Sequence, residues 1–123
     1  MQTALREAEE EIGLSRAAVS LLGELPATST FATNYVIHPF VGLIPAGLAW
    51  RLSTDEVAEV LELAVSELRS AKTRARLKRR GISFETDAYI VGEHLIWGAT
   101  ARILENLLER LQMTGSENAP SLA

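Results

Sequence analysis

Residues 6–14 read Arg6-Glu7-Ala8-Glu9-Glu10-Glu11-Ile12-Gly13-Leu14. Leu5, Ala8 and Ile12 recur at i, i+3 and i+7, which predicts a helix over residues 3–12 with one apolar face. Gly13 ends that helix by taking φ > 0 just beyond it. Glu7, Glu10 and Glu11 fall at i, i+3 and i+4, so they share the face opposite Leu5 and Ile12. Three carboxylates so placed repel one another, and a divalent cation relieves the repulsion. Hard cations such as Mg²⁺ take carboxylate oxygens and bridge to substrate phosphates. The same spacing also describes an ordinary solvated face opposite an apolar one, and spacing alone leaves both readings open.

Downstream of the acidic cluster, Ser15–Ala18 makes a short turn and residues 19–25 suit a strand. Residues 26–33 form a polar Thr- and Ser-rich loop. Residues 35–44, YVIHPFVGLI, are apolar on both faces and predict one mostly buried strand. Pro39 lacks an N–H, which puts that strand at an edge or gives it a bulge. Residues 44–47 turn. Residues 57–68 fit a helix by periodicity, and Val60-Leu61-Glu62-Leu63 fits a strand before a short helix equally well. The basic run 72–80, then ISFET and AYIVG, predict short strands joined by tight turns, with Gly92-Glu93 at a hairpin tip. Trp97, Ala101, Leu104, Leu108 and Leu111 make an apolar stripe on a helix over residues 98–112.

The string from Arg6 to Leu14 resembles the second half of the Nudix box, Arg-Glu-apolar-x-Glu-Glu-x-Gly-apolar, at every fixed position. The rest of the chain resembles the coenzyme A pyrophosphatase branch of that superfamily. The similarity lies in Val36-Ile37-His38-Pro39-Phe40-Val41-Gly42, in Glu56-Val57-Ala58-Glu59-Val60, and most specifically in Ile96-Trp97-Gly98-Ala99-Thr100-Ala101. It covers about residues 3–112. The resemblance implies an α/β fold of α+β arrangement, a Nudix-type mixed sheet between helices. It also implies a strand at 58–63 followed by a helix at 65–70.

The implied activity is metal-dependent hydrolysis of a diphosphate bond, in coenzyme A or a derivative. Glu7, Glu10 and Glu11 are the implied ligands of Mg²⁺ or Mn²⁺. Arg6 is expected to orient a carboxylate, Glu7, and Glu11 is a candidate general base. Asp55, Glu56, Glu59 and Glu93 are further candidates outside the motif. The substrate-binding residues stay unassigned. The first half of the box, the coenzyme A signature and the first strands fall before Met1 in this alignment of motifs. On that reading residues 1–112 are a partial Nudix domain, N-terminally truncated, and 113–123 a disordered tail. A second reading keeps the fold without turnover, as a catalytically silent fragment that associates with itself. A homo-oligomer, a dimer in the simplest case, is expected.

Composition narrows the field. The 123 residues suit one domain. No cysteine is present, which excludes disulfides and thiolate metal sites and suits a cytoplasmic protein. No apolar run approaches the ~18 residues of a membrane span. The net charge of −4 argues against nucleic acid as a partner. Six of the twelve basic residues nevertheless lie between Lys72 and Arg80. That run suits a charged edge hairpin, a phosphate-binding surface or a nucleic-acid contact, although no aromatic residue is interleaved for base stacking. His38 reads as structural, and His94 as structural or a substrate contact. Trp97 and Thr100 read as helix-packing residues. Trp50 suits either the core or an adenine-stacking face.

Overall fold

The structure, a computed structural model, describes residues 2–30, 34–53, 55 and 59–113. In chain order the elements are α1 (Gln2–Ile12), a 3-10 turn (Arg16–Ala18), β1 (Ser20–Glu24), β2 (Thr28–Ser29), β3 (Val36–Ile37) and β4 (Phe40–Leu43). Then follow α2 (Val65–Ala71), β5 (Lys72–Arg79), β6 (Ile82–Val91), β7 (His94–Ile96) and α3 (Gly98–Met113). The chain divides into two compact units. One holds the described residues up to Glu24 with Phe40–Leu63, and the other holds Leu25–Pro39 with the described residues from Ala64.

The α+β arrangement expected from the sequence is present. Every pairing among the described residues is antiparallel, and the strands form three sheets: β1-β4, β2-β3 and β5-β6-β7. The mixed sheet is therefore represented here by separate antiparallel pieces. No helix among the described residues is long and apolar enough to cross a membrane. The tail from residue 114 lies outside the described residues.

In the first unit, α1 turns Leu5, Ala8 and Ile12 inward to half-burial and leaves Arg6, Glu7 and Glu10 exposed. The periodicity reading of this helix is correct to within one residue. The strand expected at 35–44 is instead broken at His38-Pro39. Val36–Ile37 pairs with Thr28–Ser29 in the second unit, and Phe40–Leu43 pairs with β1 in the first. A proline cannot donate to a ladder, and here the chain changes partners on either side of it. The pieces are half-buried or exposed, not mostly buried. The loop expected at 26–33 also supplies the two-residue β2. Between Leu21 and Gly23 the β1-β4 register slips, leaving Leu22 as a bulge that is 54% exposed.

The strand implied at 58–63 is not found. Residues 59–63 carry no strand, and residue 58 lies outside the described residues. A strand is held by its partner, and none of the three sheets offers these residues one. The helix of the same reading is present as α2, with Leu68 buried.

The second unit carries the core. Leu25, Leu68, Ala88, Tyr89, Ala101 and Leu108 are buried there, with Thr28. Ala88 and Tyr89 are consecutive on β6, so both faces of that strand are covered at this point; α2 and α3 both pack against it. Burying a large apolar side chain contributes roughly 1.5–3 kcal/mol, so these few positions dominate the unit's stability. ISFET and AYIVG, read separately above, are one ten-residue strand. The stripe of α3 faces inward: Ala101 and Leu108 are buried, and Trp97, Leu104 and Leu111 are half-buried. Arg80 and Gly81 join β5 to β6 with φ of 53° and 79°, the pattern of a type I′ turn. Gly92 and Glu93 form the expected tip between β6 and β7.

Candidate active site

The acidic helix ends in a tightly specified turn. Gly13 takes φ +75°, and its N–H donates to the Glu9 carbonyl at 3.1 Å, an αL cap. Leu14 N–H reaches the Ala8 carbonyl at 3.3 Å. The last carbonyls of the helix are taken by a distant segment. Arg51 N–H donates to Ile12 at 3.0 Å, and Ser53 N–H to Glu11 at 2.7 Å. A Cβ at position 13 would stand 3.1 Å from the Arg51 Cβ and 3.2 Å from its nitrogen. The motif glycine is thus required twice, for its positive φ and for this approach.

Polar contacts hold the flank. Arg16 N–H donates to Glu9 Oε2 at 3.4 Å, and Arg16 Nη1 to Gln2 Oε1 at 3.0 Å. The Ser15 hydroxyl accepts from Ala17 N–H and starts the 3-10 turn. Arg6 does not pair with Glu7, as the resemblance implied. Its Nε lies 4.0 Å from Glu10 Oε1. Adjacent helical residues diverge by about 100°, whereas i and i+4 stack.

Glu7 and Glu10 are exposed and Glu11 is half-buried. The helix puts all three on one face, yet among the described residues no three acidic or histidine side chains converge as a metal site. The donor chemistry still suits a hard divalent cation. Three carboxylates offer oxygen ligands, and the exposed Arg6–Glu10 pair that engages one of them contributes at most ~1 kcal/mol. Among the other base candidates, Asp55 and Glu59 are exposed in the same unit, Glu93 belongs to the other unit, and Glu56 lies outside the described residues.

Three of the six basic residues in the run are paired with carboxylates, in the second unit. Arg74 pairs with Asp87 at 3.2 Å and Arg76 with Glu85 at 3.3 Å, directly across the β5-β6 register. Lys72 pairs with Glu105 at 3.2 Å, and that hydrogen bond raises its pKa. Arg79 lies over the Trp97 ring at 5.8 Å, a cation–π contact. Trp97 packs against Phe84 at 5.9 Å and so anchors the start of α3 on β6, as its size suggests. Thr100, expected to pack, is exposed. His38 is exposed and His94 half-buried. Trp50 is half-buried and donates to Glu62 Oε1 at 3.3 Å. An open groove of about 700 Å³ in the second unit is lined by Thr28, Ser29, Arg102 and Asn106 among others, and holds no motif residue. Sequence reading missed Arg51, because a lone Arg between Trp50 and Leu52 carries no local signal.

A helix with this face, closed by this glycine turn, is what the Nudix pattern requires, and comparison with known proteins agrees. The chain is similar over most of its length to proteins of the Nudix superfamily. It is similar to the uncharacterized Nudix hydrolase NudL of Photorhabdus laumondii, 38% identical over 113 residues, which cover 90% of this chain and 60% of the relative. Proteins of the same description from Salmonella paratyphi B and Salmonella newport are 37% identical over 106 residues, covering 85% of this chain and 55% of each relative. The chain thus spans a little over half the length of these relatives. No family model matches it.

Proposed function

We propose that this chain acts as a Nudix-type, metal-dependent diphosphatase, with coenzyme A or a derivative as substrate, in a reducing cytosol. The observation that carries the reading is α1 itself: Glu7, Glu10 and Glu11 on one face, closed by a Gly13 turn that the Arg51–Ser53 backbone clamps. The names of the relatives support hydrolysis. The coenzyme A substrate rests on the resemblance of Ile96-Trp97-Gly98-Ala99-Thr100-Ala101, the segment from which α3 starts.

A bound Mg²⁺ or Mn²⁺ neutralises phosphoryl charge and acidifies water. Glu7, Glu10 and Glu11 supply oxygen donors for it. Arg6 holds Glu10 in place through the i, i+4 contact. Glu11, less exposed than its two neighbours, serves as the base that takes the proton from the attacking water. Attack forms one P–O bond and breaks the bond to the bridging oxygen. Coenzyme A would yield a phosphopantetheine and adenosine 3′,5′-bisphosphate.

The test is hydrolysis of coenzyme A by this chain with Mg²⁺ or Mn²⁺, beside Glu10→Gln/Glu11→Gln. We expect metal-dependent turnover that falls at least ~100-fold in the double variant. Equal turnover by both proteins would remove the acidic face from the mechanism.

A second reading is favoured by β1 and β4. All of β1 is exposed, with Leu21, Leu22 and Leu43 at 38%, 54% and 42% exposure. Apolar strand surface of this kind associates. Here the chain is a silent module that pairs with a second copy of itself. Folded dimers without metal-dependent turnover would select this reading, and a monomer at all concentrations would exclude it.

A further inference from the structure

We infer that Arg51 is a substrate-binding residue of the acidic site, its guanidinium receiving the non-bridging oxygens of the diphosphate. The inference rests on the diphosphatase reading above and names the group that offsets substrate charge. The unit that holds α1 has three basic residues: Arg6, Arg16 and Arg51. Arg6 is paired with Glu10, and Arg16 is bonded to Gln2. The Arg51 side chain is exposed and makes no ion pair or hydrogen bond among the described residues. Its backbone is pinned. The N–H donates to Ile12 at 3.0 Å, and the Cβ lies against Gly13. Ser53 N–H donates to the Glu11 backbone carbonyl at 2.7 Å, so this segment is fixed to the end of the helix that carries the acidic face.

Electrostatics make a cation necessary there. A helix C-terminus carries partial negative charge, and the glutamates add full charges. Both repel a diphosphate, so its oxygens need a positive partner besides the metal. A guanidinium suits the task, because its planar fork takes two phosphate oxygens at once. The run Lys72–Arg80 is poorly suited. Its Lys72, Arg74 and Arg76 are already paired with carboxylates, and its Arg79 lies over the Trp97 ring.

The experiment measures inorganic pyrophosphate binding by calorimetry in the presence of Mn²⁺, and Mn²⁺ binding alone by electron paramagnetic resonance. The proteins are the wild-type chain, Arg51→Ala, Arg51→Gln and Arg51→Lys. Because Arg51 clamps α1 through its backbone, these variants keep the wild-type melt. We expect pyrophosphate to bind ~10–100-fold more weakly to Arg51→Ala and Arg51→Gln, the scale of losing a charge-assisted contact. Mn²⁺ affinity stays within about twofold, since the carboxylates are untouched. Arg51→Lys recovers part of the loss, and KM for coenzyme A rises more than kcat falls. Unchanged pyrophosphate affinity in Arg51→Ala, with Mn²⁺ binding lost in Glu7→Gln/Glu10→Gln, overturns the Arg51 assignment and leaves the diphosphatase reading standing. A wild-type chain that binds neither Mn²⁺ nor pyrophosphate overturns both.

Discussion

The two units divide chemistry from stability. Every buried residue among those described lies in the unit built from Leu25–Pro39 and the chain after Ala64. The other unit holds the acidic motif, yet α1 buries no residue fully and β1 is exposed along its whole length. Its two-stranded sheet is the kind that is marginal by itself. The acidic face is therefore held by backbone contacts at the end of α1 and by little packing. Regions of this kind open at lower free energy than the core.

Four outcomes would break or sharpen that contrast. The largest is Tyr89→Ala. The residue is 2% exposed, and the cavity should cost ~3–5 kcal/mol in urea unfolding, the range for a buried aromatic. A loss below ~1 kcal/mol would show that the core is not where the buried areas place it. Next is Arg80→Asn. A non-glycine residue at φ 53° is strained, and Asn tolerates that region better, so stability should rise by ~0.5–1 kcal/mol. A fall would mean that the Arg80 side chain contributes more than its backbone costs.

The third is alkaline pH. Burial raises the Tyr89 phenol above its ordinary value of 10.0, and the Glu105 hydrogen bond raises Lys72 above 10.5. Both folded pKa values exceed the unfolded ones. Their contributions are complete below the unfolded values and are lost as pH rises through the folded ones. The midpoint of unfolding should therefore fall above about pH 10, and less steeply in Tyr89→Phe. A midpoint that rises there would reverse the assigned shifts. The smallest effect is Leu22→Ala. The bulge is exposed, so the change should stay within ~0.5 kcal/mol. A larger loss would show that something covers β1 in solution, as self-association requires.

Local pattern made the helices legible. Leu5, Ala8 and Ile12 mark α1, and Ala101 with Leu108 marks the buried stripe of α3, because helical neighbours lie three and four residues apart in sequence. The strands were less legible. Pro39 signalled trouble in 35–44, but not that the two halves would pair with different strands. Residues 58–63 look strand-forming and, over 59–63, form none, since a strand depends on a partner that may lie anywhere in the chain. The basic run suited a charged edge hairpin or a binding surface, and Asp87 and Glu85 opposite Arg74 and Arg76 favour the hairpin.

The sequence by itself determined the likeness to Nudix proteins, the acidic face of Glu7, Glu10 and Glu11, and the need for glycine at position 13. Each is a short-range pattern that a helix and its end impose. Only the tertiary structure decided that Glu105, Asp87 and Glu85 pair with Lys72, Arg74 and Arg76, and that Arg51 lies at the end of α1. Those contacts join residues that the sequence separates, and only a folded backbone brings them within reach.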